Sequence, residues 1–144
     1  MEGLTFCLII RISDMDDRSS HLAWRILVVD DDPLLRAAFV RLLRRASLDV
    51  RAVVDGMAAL VALAEDDGIE LVITDQHMPG MLGSELLVIA QERFPDVRRV
   101  LLTGDPPPEL PALLDAGVVE RCFLKSRLSA LIEWLATGAL TDAS

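Results

Sequence analysis

Glu70-Leu71-Val72-Ile73-Thr74-Asp75-Gln76-His77-Met78-Pro79-Gly80-Met81-Leu82-Gly83 is the stretch on which the fold turns. Leu71 to Thr74 is an apolar, β-branched run of the kind that forms a strand buried on both faces, and it stops at Asp75. A carboxylate therefore stands at the C-terminal end of a strand. Pro79, Gly80 and Gly83 break the strand, so the second half predicts a loop that leads into a helix from about Ser84. In open α/β sheets the crevice beyond the carboxyl ends of the strands is where ligands bind, which places Asp75 for chemistry.

The same pattern recurs on both sides. Ile26-Leu27-Val28-Val29 predicts a strand that ends in Asp30-Asp31-Asp32-Pro33, where Asp32 suits a helix N-cap and Pro33 the first helical position. The helix after it carries Leu35, Ala38, Phe39, Leu42 and Ala46 as one apolar stripe. Asp49 to Val54 predicts another strand, and Asp55-Gly56 a turn before a helix from about Met57 to Glu65. Beyond the opening stretch, a helix to about Arg93 ends near Pro95, and Arg99 to Leu102 makes a strand that stops at Thr103-Gly104-Asp105. Pro106, Pro107, Pro108 and Pro111 delay the next helix, which runs to about Ala116 with Gly117 as its stop. Val118 to Leu124 is the fifth strand, and Lys125 follows it directly.

The last helix, Leu128 to about Thr137, carries Leu128, Leu131, Ile132 and Leu135 on one stripe. Trp134 falls about 110° from the centre of that stripe, an outward or edge position that suits either a partner anchor or a flank-packed ring. Five strands alternating with five helices predict a parallel sheet covered on both faces. Periodicity alone leaves the strand order open.

Composition narrows the function. At 144 residues the chain has room for one domain with a sizeable core, and an output domain is not expected within it. Hydrophobic residues make up 52% of it, yet no apolar run approaches the ~20 residues that span a bilayer, so a soluble protein with no membrane partner is expected. A formal charge of −9 argues against direct nucleic-acid binding and suits a divalent cation or a basic partner. Cys7 and Cys122 have no paired spacing and predict reduced thiols. Of 14 basic residues only Lys125 is lysine, a compact charge that enters a carboxylate-crowded pocket more easily than the broad guanidinium of arginine. Residues 1–23 do not share the alternation, and Leu4 to Ile10 lacks the basic lead and cleavage site of a signal peptide. They are expected to form an N-terminal extension: either an added edge strand, or, with translation beginning at Met15, a short polar lead of Asp16, Asp17, Arg18, Ser19 and Ser20.

Asp75 followed by Met78-Pro79-Gly80-Met81 and Gly83, with Asp30-Asp31, Thr103 and Lys125 after three other strands, resembles the receiver domain of two-component response regulators. The resemblance covers about residues 24–137 and leaves 138–144 as a short tail. It implies the flavodoxin-like doubly wound sheet in the order 2-1-3-4-5. It also implies roles. Asp75 is the phosphoacceptor, Lys125 pairs with the phosphoryl group, and Thr103 moves to hydrogen-bond it. Mg²⁺ is held by Asp31, Asp75 and the backbone carbonyl of His77, with Asp30 assisting through water or orienting the ion. Three carboxylates need such neutralisation.

The side chains of His77 and Asp105 are expected to tune the lifetime of the phosphorylated state. Cys122 stands where an aromatic residue commonly reports the state of the threonine, and with Trp134 it belongs to the expected output surface. Ser126 stands where receivers usually have a cis-linked proline. The implied protein is cytoplasmic and bacterial, is phosphorylated by a sensor histidine kinase or histidine phosphotransfer protein, and signals to a downstream protein target; a homodimer is left open. Two alternatives are a phosphorylation-independent docking module and a haloacid-dehalogenase-like phosphatase. The second requires Asp30 and Asp32 to form an Asp-x-Asp pair, but Leu34 does not fit that pattern and no acidic pair follows Lys125.

Overall fold

A computed structural model describes residues 24–138. The extension at residues 1–23, with Cys7, and the tail beyond residue 138 lie outside the described residues. Five strands form one parallel sheet: β1 (Arg25–Val29), β2 (Asp49–Val53), β3 (Leu71–Thr74), β4 (Arg98–Thr103) and β5 (Arg121–Leu124). Their spatial order is 2-1-3-4-5, as the resemblance implies. β1 and β3 are neighbours although β2 lies between them in sequence, and the direction of winding reverses there.

Five helices cover the sheet: α1 (Pro33–Arg45), α2 (Gly56–Glu65), α3 (Gly83–Arg93), α4 (Leu110–Asp115) and α5 (Leu128–Glu133). Successive strand side chains point to opposite faces, so each central strand feeds two cores. Ile26, Val28, Leu71, Ile73, Val100 and Leu102 pack with Phe39 and Leu43 of α1 and Leu131 of α5. Leu27, Val29, Val72 and Leu101 pack on the other face with Ala59 and Leu63 of α2 and Leu86, Leu87 and Ala90 of α3.

Three local expectations are corrected. The stripe chosen for α1 is rotated: Leu35 and Leu42 are 44% and 39% exposed, whereas Phe39 and Leu43 are buried. Asp32 caps the helix and starts it in a phase that turns Phe39 and Leu43, one turn apart, toward the sheet. β5 begins at Arg121 instead of Val118. The amides of Val118 and Val119 both donate to the carbonyl of Leu113, and the Arg99 side chain takes the carbonyls of Gly117 and Val118, so this segment turns back on α4 before the strand starts.

The third correction concerns Trp134. It is buried at 7% exposure, which removes the exposed partner anchor and leaves the flank-packed ring, the other of its two readings. The buried set is Leu131, Trp134 and Leu135, at i, i+3 and i+4, while Leu128 and Ile132 are only partly buried. The indole lies 5.7 Å from the Phe123 ring, and the guanidiniums of Arg98 and Arg121 lie 5.3 and 5.5 Å from its centroid. From Trp134 to Gly138 the chain continues as a wider π-helical turn.

Candidate functional site

Register brings the acidic residues together. Val29 of β1 pairs with Thr74 of β3, so the next residues, Asp30 and Asp75, leave the sheet side by side. Both are buried, and Asp31 beside them is exposed. One carboxylate oxygen from each of Asp30, Asp31 and Asp75 lies within 4.8 Å of the others. The backbone fixes them: the Asp75 amide donates to Val29 at 3.0 Å, and the Asp30 amide to Val53 at 3.2 Å. Asp30 Oδ1 also accepts the Asp32 amide at 2.9 Å.

Lys125, directly after β5, reaches both buried carboxylates. Its Nζ lies 3.1 Å from Asp75 Oδ2 and 3.2 Å from Asp30 Oδ2. Burial pulls the lysine pKa down, but the hydrogen bond and charge of Asp75 and the charge of Asp30 outweigh it and hold the ammonium above its ordinary value. Ser126 in place of proline does not turn the lysine away. Lys125 to Arg127 form a single 3₁₀ turn, and the side chain still meets its partners. Asp30 and Asp75 meet the one ammonium with Asp31 beside them, so carboxylates outnumber the lysine that bonds them, and every clustered side-chain oxygen belongs to a carboxylate. Such a set fits a hard divalent cation.

The other predicted residues take varied positions. Thr103 is buried at the end of β4, with its hydroxyl accepting the Asp105 amide at 3.2 Å in a local turn, so it is near the crevice but bonded away from the carboxylates. Asp105 and His77 are exposed. Cys122 is a half-buried free thiol packed against the α2/α3 core, and burial pushes its pKa up. Asp32 caps α1, accepting the amides of Leu34 and Leu35 at 3.0 and 3.3 Å. That carboxylate is engaged as a cap, which leaves no Asp-x-Asp pair in the crevice.

Sequence reasoning missed three residues. Arg36 Nη1 donates to the Asp30 carbonyl at 2.7 Å and holds the β1–α1 loop from the first turn of the helix. Gln76 is 2% exposed and bonds through its side chain to Ser84, also buried. The available signal was an amide immediately after Asp75, in a segment whose apolar neighbours predicted burial. A buried amide requires partners.

The family sequence model for the response regulator receiver domain matches residues 26–133. This chain belongs to that family. Among curated relatives, the receiver is 38% identical over 83 residues to the response regulator protein FleR of Pseudomonas aeruginosa, a match covering 58% of this chain and 17% of FleR. Relatives from Arabidopsis and rice show that the family likeness is not confined to bacteria. The chain covers between 9% and 61% of the length of eight curated relatives it matches.

Among solved structures, the signal receiver domain of an HD domain-containing protein from Pseudomonas fluorescens Pf-5 is 28% identical with a TM-score of 0.71; the match covers 83% of this chain and 98% of that one. The response regulator protein TrrA from Thermotoga maritima, in complex with Mg²⁺ and BeF, is 27% identical with a TM-score of 0.66, covering 78% and 98%. No helix among the described residues of the receiver is long and apolar enough to cross a membrane.

Proposed function

We propose that Asp75 accepts a phosphoryl group from a phosphohistidine donor, on a sensor histidine kinase or histidine phosphotransfer protein. The observation that carries this reading is Lys125 at 3.1 Å from Asp75 and 3.2 Å from Asp30, with the Asp31 carboxylate beside them. An Asp75 carboxylate oxygen attacks phosphorus as the P–N bond to the donor imidazole breaks, and the imidazole leaves with its electron pair and takes a proton. The product is an aspartyl phosphate.

The chain's contribution is position and charge. Asp75 is fixed by the Gln76 amide at 2.7 Å, and Lys125 is held where it can follow the carboxylate oxygen onto the transferred group. Asp31, Asp75 and the backbone carbonyl of His77 would hold Mg²⁺, with Asp30 orienting it, and Asp30 keeps its bond to Lys125. Bound there, Mg²⁺ would supply positive charge to offset the carboxylates and the transferred group. That TrrA, similar to this chain in fold and family, was solved in complex with Mg²⁺ and BeF supports reading the acidic crevice as a Mg²⁺ site.

For a signal to leave the site, Thr103 exchanges its bond with the Asp105 amide for one to the phosphoryl group. The loop after β4 follows, and the surface made by α4, β5 and α5 changes shape for a downstream protein target. His77 and Asp105, both exposed at the rim, set how readily water reaches the phosphoryl group.

The test is intact mass after incubation with Mg²⁺ and acetyl phosphate, beside Asp75→Asn. A phosphoryl-sized gain in the wild type that the variant lacks is the expected result. No gain under conditions that label another receiver would favour the docking-module reading, and phosphate release without an adduct would favour a phosphatase.

A further inference from the structure

Gln76 is almost completely buried, and both ends of its side-chain amide are bonded to one residue. Its Nε2 donates to Ser84 Oγ at 3.0 Å, and its Oε1 accepts the Ser84 amide at 2.9 Å. Its main-chain carbonyl accepts the Gly83 amide at 2.8 Å. Gly83 and Ser84 are the first two residues of α3, whose amides have no partners within the helix, so Gln76 closes that helix end from outside. The loop from His77 to Leu82 is thereby tied at its neck by three hydrogen bonds. The neck is also tight, because a Cβ at Gly83 would lie 2.0 Å from the Asp75 carbonyl oxygen.

The same residue touches the acceptor carboxylate. The Gln76 amide donates to Asp75 Oδ1 at 2.7 Å, while Asp75 Oδ2 faces Lys125. The two oxygens thus have different partners, and the carboxylate has one orientation. That orientation depends on the peptide plane between Asp75 and Gln76, which the Ser84 clamp holds. An apolar side chain at position 76 would fill the buried space but would leave Ser84 and the α3 amide without their bonds.

We infer that Gln76 is a positioning residue: by clamping Ser84 it fixes the Asp75 carboxylate and the loop that carries the His77 carbonyl. The inference rests on the reading of Asp75 as phosphoacceptor. It concerns the side chain, since the amide that touches Asp75 is retained in any non-proline variant.

The experiment compares wild type, Gln76→Leu, Ser84→Ala, their double variant and Val119→Ala, a core truncation at the opposite end of the sheet. Acetyl phosphate labelling is followed by intact mass across donor concentrations with Mg²⁺ in excess, Mg²⁺ affinity by calorimetry, and Tm by thermal melting. Gln76→Leu and Ser84→Ala are expected to lower the saturating labelling rate about tenfold, with the half-saturating donor concentration little changed, because the acceptor is misaligned and not blocked. Mg²⁺ affinity falls with it, and the double variant is no slower than the slower single one. Val119→Ala loses Tm and labels at the wild-type rate.

Wild-type labelling and Mg²⁺ affinity in both clamp variants, with only Tm reduced, would overturn the positioning role while leaving the acceptor reading intact. Failure of the wild type itself to label would overturn both. Should Gln76→Leu not fold, Ser84→Ala, which removes one hydroxyl and keeps the main-chain bonds, decides the matter alone.

Discussion

The ammonium of Lys125 lies 3.1 Å from Oδ2 of Asp75, across the end of β4, because β4 stands between the strands that carry the two residues. Lys125 therefore ties the edge of the sheet to its switch point. Replacing it with Met removes the cation that faces two buried carboxylates. The expected loss is about 1–3 kcal/mol without divalent cation, below that of a fully buried pair because the lysine side chain is 25% exposed. Urea unfolding in a chelator measures it, and a variant as stable as wild type would show that the pair contributes nothing.

Asp31 tests the same electrostatics with the opposite sign. It is exposed, and it adds a negative charge to Asp30 and Asp75. Asp31→Asn relieves that repulsion, so Tm in a chelator is expected to rise by the equivalent of about 0.5–1 kcal/mol. Added Mg²⁺ should then raise Tm in the wild type and much less in the variant. Equal Mg²⁺ responses would remove Asp31 from the cation set.

Gly83 cannot carry a side chain without moving the acceptor. Its added Cβ would meet the Asp75 carbonyl oxygen at 2.0 Å, and backbone must shift. Gly83→Ala is expected to cost about 1–3 kcal/mol and to slow labelling of Asp75. A variant with wild-type stability and labelling rate would mean that the neck of the loop yields freely.

The orientation of α1 can be read from two adjacent leucines. Leu43 is fully buried and Leu42 is 39% exposed. Leu43→Ala should cost about 2–5 kcal/mol in chemical denaturation, and Leu42→Ala less than about 1. The reverse order would restore the stripe chosen from periodicity.

Asp66 supplies a prediction for acid. Its Oδ1 accepts the Gly68 amide at 2.9 Å, and Arg25 grips both carboxylate oxygens at 3.2 and 2.8 Å. The Gly68 bond first, then Arg25 against the opposing effect of burial, lower its pKa from the ordinary 3.8. A folded pKa below the unfolded one gives stability that is present above 3.8 and lost as pH falls through the folded value. Between about pH 5 and about pH 3, Tm should therefore fall less in Asp66→Asn than in the wild type. Identical slopes would show that Asp66 titrates alike in both states.

The sequence by itself determined the five strands, the helix cap at Asp32, the stop after Thr74 and the residue types of the crevice. These are local matters: β-branched runs, a proline or glycine at a break, and a carboxylate at a strand end act over a few neighbouring residues. With the resemblance it also determined the strand order, which periodicity had left open. Tertiary structure alone decided which side of α1 meets the sheet, where β5 begins, that Trp134 turns inward, and that Gln76 grips Ser84. Each of these depends on a partner brought close by folding: Phe123 beside Trp134, Leu113 taking the amides of Val118 and Val119, and Ser84 eight residues beyond Gln76. A helical period gives the angle of a side chain around its own axis, but burial is set by what the other elements place opposite it.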